Sequence, residues 1–178
     1  MRVFLSLLTI KKSKMKRKFV PVFLIIVFAN VLYFVVFSKK APKIPIDKTA
    51  LFDESGNKIS LSDNKGKVML ISYFQSWCGD CRKEQPELEA LQQAVGGEEK
   101  LKIFLVSDED WTKINTVKDA TKTNLTFYKS EKSLKDIGIR KFPTTYLLNK
   151  KGEVVEAKVE GIHWNTKEIQ DEILKLNE

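Results

Sequence analysis

Two cysteines, Cys78 and Cys81, stand three residues apart at the junction between an apolar run and a charged, helix-forming stretch. The apolar run, residues 67–74 (KVMLISYF), reads as a buried strand, and residues 82–94 read as the helix. Both thiols of the chain therefore fall at a strand–turn–helix junction. On the first turn of a helix, thiols at this spacing lie within reach of a disulfide, and the helix N-terminus favours the thiolate. Two other readings use the same residues. A zinc site wants four ligands, whereas the chain has no further cysteine and one histidine, His163. A static structural disulfide would close so small a loop that it would remove little chain entropy. The redox-active dithiol is the reading the context favours, with no metal and no cofactor beyond the thiols themselves.

The formal charge of +8 at first suggests a nucleic-acid binder, until it is located. Nine of the 31 Lys/Arg and none of the 23 Asp/Glu fall in residues 1–40, which leaves 22 basic and 23 acidic residues, net −1, in residues 41–178. A near-neutral domain lacks the basic footprint that phosphate-backbone binding needs. Nucleic acid is not the partner.

The basic cluster in residues 1–18 precedes residues 19–37 (FVPVFLIIVFANVLYFVVF), nineteen residues without a charge. As a helix this run would be roughly 30 Å long, the thickness of a bilayer's hydrocarbon core. Asn30 is its one strongly polar interruption, and a lone Asn in a span can pair with a backbone carbonyl. The run ends in FSKKAP, with bulky or charged residues where signal-peptide cleavage wants small ones, so an uncleaved anchor is expected. Basic residues before the span put the N-terminus in the cytoplasm and the rest of the chain outside, although Lys39 and Lys40 dilute the asymmetry. A start at Met15 would give a more economical signal anchor. The expected division is 1–18 cytoplasmic segment, 19–37 transmembrane anchor, 38–48 linker and 49–178 folded domain.

Within the domain, FDESGNKISLS from residue 52 signals a hairpin, followed by the strand and the cysteine-bearing helix. Pro86 lies inside that helix, where its ring removes one hydrogen bond and a kink is expected; Leu88 and Leu91 mark the buried stripe, and Gly96 and Gly97 end the helix. Residues 101–107 read as a buried strand, 111–122 as a helix, 133–137 as a short helix stopped by Gly138, and 144–148 with 154–159 as a hairpin. Residues 166–177 place Ile169, Ile173, Leu174 and Leu176 on an amphipathic helix. The alternation argues for an α/β sandwich with a mixed sheet.

At this point WCGDC after a strand, then RKEQPELEAL, then Phe142-Pro143-Thr144-Thr145, then NKKGEVV, resemble the thioredoxin superfamily, and within it the membrane-anchored thiol–disulfide oxidoreductases of the TlpA/ResA type. The resemblance covers about residues 44–178. It implies a thioredoxin-like α/β fold, a mixed central sheet flanked by helices and preceded by one N-terminal transmembrane helix. The interval from Cys81 to Pro143 exceeds that of a minimal thioredoxin and fits the extra strand–helix insertion of this subgroup. By the same resemblance Cys78 is the attacking thiolate, Cys81 the resolving thiol and Glu84 a glutamate near the pair. Trp77, Phe142 and a cis Pro143 border the substrate. Glu84 has a plainer reading too, as a surface residue of the helix.

Three departures from the family bear on mechanism. Ser72 stands where thioredoxin carries a buried, proton-transferring Asp, which leaves Glu84 as the obvious substitute. Asp80 replaces the commoner Pro between the cysteines; its charge should raise the thiol pKa and make the pair more reducing. Phe142 is bulky for its position and should narrow what fits. The Thr-x-x-Cys signature of peroxiredoxins is absent, since Gln75 occupies the first position. His163 reads as a loop residue. The function implied is reduction of protein disulfides outside the cytoplasm, at the bacterial cytoplasmic membrane, with cytochrome c apoproteins as candidate substrates. The chain's own span has no cysteine, so a separate transmembrane electron donor is expected. A disulfide oxidase or isomerase, or a peptide-binding sensor on the same fold, is the alternative.

Overall fold

A computed structural model describes residues 23–28, 30, 41–44, 50–161 and 163–178. The chain divides into two compact units, residues 1–38 and 39–178. In the first, residues 23–28 and 30 are helical, and the Asn30 side-chain amide donates to the Ile26 carbonyl at 2.7 Å, the local pairing expected of a lone Asn. Among the described residues no helix is long and apolar enough to cross a membrane. Most of the anchor at 19–37, all of 1–18 and much of the linker at 38–48 lie outside the described residues.

The second unit is organised by strand β3, Met69–Tyr73, whose five residues are all buried. Full burial on both faces requires neighbours on both edges and cover above and below, and the chain supplies them. Strands β1 (Ala50–Phe52), β2 (Lys58–Ser60), β4 (Lys102–Ser107), β5 (Phe127–Ser130), β6 (Thr144–Leu148) and β7 (Val154–Val159) join β3 in one sheet of order β2-β1-β5-β4-β3-β6-β7. Pairs β3/β4 and β4/β5 are parallel and the rest antiparallel, so the sheet is mixed as expected. The helices are α1 (Gly79–Ala94), α2 (Trp111–Thr121) and α3 (Lys167–Leu176). Between the cysteines and Pro143 the chain accommodates β4, α2 and β5, which lengthens that interval.

Strand alternation sorts the core into two clusters. Leu70 and Phe74 face one side with Leu105 and Leu147, against Leu88 and Leu91 of α1, Ile114 and Val117 of α2, and Ile173 of α3. Met69, Ile71 and Tyr73 face the other with Phe104, Tyr146 and Leu148. That second side is covered by Leu61 of a short 3-10 helix, by Leu134 and Ile139, and by Ala41 and Ile44 of the linker. Tyr146 fastens this cover, its hydroxyl donating to the Pro42 carbonyl at 2.7 Å. The buried faces of all three helices thus contribute to one cluster.

Three local expectations need correction. Residues 133–137 form hydrogen-bonded turns rather than a helix; bonds from Asp136 N–H to the Ser133 carbonyl and from Ile139 N–H to the Leu134 carbonyl close too few residues before Gly138, at φ 89°, ends the run. Leu174 is 44% exposed, so the buried stripe of α3 rests on Ile173, with Ile169 and Leu176 partly covered. Strand β5 was not expected from the sequence; it pairs in parallel with β4 and antiparallel with β1. Helix α1 is continuous from Gly79 to Ala94, with Pro86 inside it.

Candidate active site

Strand β3 ends at Tyr73, and the chain turns through Gln75, Ser76 and Trp77 into α1. Cys78 is the N-cap of that helix, and its sulfur accepts the Cys81 backbone N–H at 3.1 Å. A sulfur in that position takes the place of a capping oxygen and lies at the positive end of the helix dipole. Cys78 and Cys81 form a disulfide with Cα atoms 5.3 Å apart. Both are buried, at 5% and 1% exposure.

The loop ahead of the cysteines is clamped by two carboxylates from the end of β4. Glu109 accepts from the Ser76 backbone N–H and, at 2.9 Å, from the Ser76 hydroxyl. Asp108 accepts from the Gln75 amide at 2.6 Å and from the Leu134 backbone N–H at 2.8 Å, so one side chain ties the active-site loop to the 133–139 turns. Arg82 closes the other side, donating to the Ser76 carbonyl at 3.1 Å. Sequence reading missed both acids, although their place at the C-terminal end of a buried parallel strand is where loops of an open α/β sheet build sites.

Glu84 resolves its two readings in favour of burial. It is one turn beyond Cys81 on the inner face of α1, at 0% exposure. Ser72 on β3 and Thr145 on β6 are register partners, so their side chains share the face that α1 covers. The Ser72 hydroxyl donates to Oε2 at 2.6 Å and the Thr145 hydroxyl to Oε1 at 2.9 Å. The Trp164 indole N–H, from the loop between β7 and α3, donates to Oε1 at 3.0 Å. Burial pushes the Glu84 carboxyl up to about 7, and the three donors and Lys158 offset only part of that rise. The carboxyl therefore changes charge near neutral pH. Its serine partner at position 72 was noted in the sequence, but Trp164 was not.

Trp77, Phe142 and Pro143 come together beside the disulfide loop. Trp77 is 70% exposed and meets the partly buried Phe142 edge to face, ring centres 5.8 Å apart. The Phe142–Pro143 bond is cis, as the family comparison anticipated, and Pro143 is buried. Phe142 also lines an open pocket of about 340 Å³ with Gln75, Asp108, Leu134, Lys135, Ile139 and Arg140. Asp80 points outward instead. Its carboxylate is well exposed and pairs with Lys83 at 2.9 Å, so its charge is screened by solvent and by a neighbouring cation. The carboxylate buried with the thiols is that of Glu84, which shifts the electrostatic weight away from Asp80.

A disulfide capping a helix, a carboxyl poised near neutrality behind it and a cis-proline beside it can support thiol–disulfide exchange. Known proteins agree with that chemistry. The Redoxin family matches residues 38–174. The chain is 32% identical over 152 residues to the thiol–disulfide oxidoreductase ResA of Bacillus cereus, an alignment covering 81% of this chain and 84% of that protein. It is 30% identical over 110 residues to the thioredoxin-like protein YneN of Bacillus subtilis, covering 59% of this chain and 64%, a little under two thirds, of the relative. Its fold matches the thioredoxin domain of a thiol–disulfide oxidoreductase from Bacteroides vulgatus with a TM-score of 0.62 at 22% identity, over 78% of this chain and 100% of that one. The chain belongs to the Redoxin family, as a ResA-like thiol–disulfide oxidoreductase of the thioredoxin superfamily.

Proposed function

We propose that this oxidoreductase works as a reductant of protein disulfides outside the cytoplasm, held to the bacterial cytoplasmic membrane by residues 19–37. The observation that carries the chemistry is the Cys78–Cys81 disulfide at the start of α1 with the protonatable Glu84 buried behind it. In the reduced protein the Cys78 thiolate attacks one sulfur of a substrate disulfide, that bond breaks, and the first substrate sulfur leaves and takes a proton. The Cys81 thiol gives up its proton, with Glu84 as acceptor, and attacks Cys78. The mixed disulfide breaks, the Cys78–Cys81 disulfide forms, and the second substrate sulfur leaves and takes the proton held by Glu84. Two electrons and two protons have passed to the substrate. A separate transmembrane dithiol donor restores the reduced pair, and no cofactor beyond the dithiol takes part.

Trp77, Phe142 and Pro143 form the surface that receives the substrate polypeptide. Relatives named as thiol–disulfide oxidoreductases support protein thiols and disulfides as the substrate class, and apocytochromes c are the members of that class we assign to this chain. The uncharged nineteen-residue run and the helical residues within it support the anchor. Trapping tests the reading directly. A Cys81→Ser variant should accumulate covalent partners through Cys78, released by dithiothreitol and enriched in extracytoplasmic cysteine pairs. Recovery of no disulfide-linked partner, while the variant is folded and present at normal levels, would contradict it.

A further inference from the structure

The three hydrogen bonds to Glu84 divide unequally between its oxygens. Oε1 accepts from the Thr145 hydroxyl and from the Trp164 indole N–H, whereas Oε2 accepts from the Ser72 hydroxyl alone. A hydroxyl can turn round and accept, but an indole N–H only donates. A proton placed on Oε1 would face that fixed donor. On Oε2 it meets the Ser72 oxygen, which can rotate to receive it. Trp164 is fully buried and reaches Glu84 from 80 residues further along the chain. Behind it, the Lys158 ammonium stands 4.5 Å from the indole ring centre and donates to the His163 carbonyl at 2.7 Å. A cation on the ring draws electron density toward itself and makes the N–H a better donor.

We propose that Trp164 is a positioning residue for Glu84: its indole N–H, backed by Lys158, holds Oε1 as an acceptor, so that the exchangeable proton resides on Oε2 against Ser72. The proton path of the site then runs along the face of β3, through the position where thioredoxin carries its own acid. Lys158 on β7 is the charged group that acts on both Glu84 and the Trp164 ring, and His163 adjoins Trp164 in the loop. Asp80, Arg82 and Lys83 of α1, Glu156 of β7 and Glu160 of the loop are exposed, and the two cysteines are joined in the disulfide. Only the use made of that proton rests on the function proposed above.

The test follows the indole N–H signals of the full-length chain by ¹H–¹⁵N NMR, in the disulfide form, where the cysteines do not titrate. Three indoles are present, and Trp77→Phe and Trp111→Phe variants assign the third to Trp164. Its signal should move with pH through a midpoint near neutrality and stop moving in Glu84→Gln. The Glu84 carboxyl carbon, followed by ¹³C NMR, should titrate about one pH unit higher in Trp164→Phe, because a donor to the ionised form is lost. Lys158→Gln should raise it by a smaller step. A pH-independent Trp164 signal, or one still titrating after Glu84→Gln, overturns the proposal. So does an unchanged carboxyl midpoint in folded Trp164→Phe. Should that variant not fold, Lys158→Gln decides: a raised midpoint supports the proposal and an unchanged one overturns it. The pH profile of Cys78 alkylation in the reduced protein separates the two readings. If the carboxyl midpoint moves and the alkylation profile does not, the role of Trp164 stands and the service of Glu84 to the thiols falls.

Discussion

At Glu84 a carboxyl that would ionise near 4.5 in the unfolded chain does so at about 7 in the fold, with burial as the main cause. The folded state therefore binds the extra proton between those values, and stability falls as pH rises through that window. The cost is absent below the unfolded value and complete above the folded one, where it amounts to about 3 kcal/mol. Glu84→Gln should remove it while keeping the contacts, since the amide oxygen can accept from Thr145 and Trp164 and the amide nitrogen can donate to Ser72. Denaturant unfolding of the disulfide form should find the variant more stable than the parent at pH 8 and nearly equal at pH 4; equal gaps at both would contradict the assignment. The cysteines differ by position. Cys78 caps the helix, so alkylation at limiting reagent, read by mass spectrometry, should modify Cys78 before Cys81. Asp80, exposed and paired with Lys83, should matter little: Asp80→Asn should move the reduction potential by no more than about 20 mV. A larger rise would restore Asp80 as the tuning charge.

The elements around the site were legible where periodicity is strong and opaque where contacts are distant. Strand β3, helix α1 and the β6–β7 hairpin follow from apolar density, from the cysteine junction and from the Asn149–Gly152 turn. Strand β5 is four residues long and gains its identity from pairing with β4 and β1, which no local pattern announces. The same holds for the site. The cysteines, Glu84 and Pro143 stand in recognisable strings, whereas Trp164 reaches Glu84 only through the fold, from a polar loop with no signature of its own. Asp108 is a similar case. It joins the loop before Cys78 to the turns at 133–139, so Asp108→Ala leaves Gln75 and the Leu134 N–H without their partner. That change should cost about 1–3 kcal/mol in denaturant unfolding and slow disulfide exchange with a model peptide. Unchanged unfolding would show that the clamp is not holding the loop.

For the whole molecule, charge and apolar runs are segregated: a basic, uncharged-core N-terminal segment and a near-neutral domain. On the proposed reading the chain sediments with membranes, resists alkaline extraction and exposes its domain to protease from outside the cell. A soluble mature form beginning near Ala41 would contradict the anchor. The direction of electron flow is the central claim, and the reduction potential of the Cys78–Cys81 pair tests it most directly. Equilibration of the full-length chain with graded dithiothreitol at pH 7 should give a value at or below about −250 mV, on the side of thioredoxin at about −270 mV. A value near −120 mV, about that of the strong oxidant DsbA, would make the protein an oxidase and contradict the account.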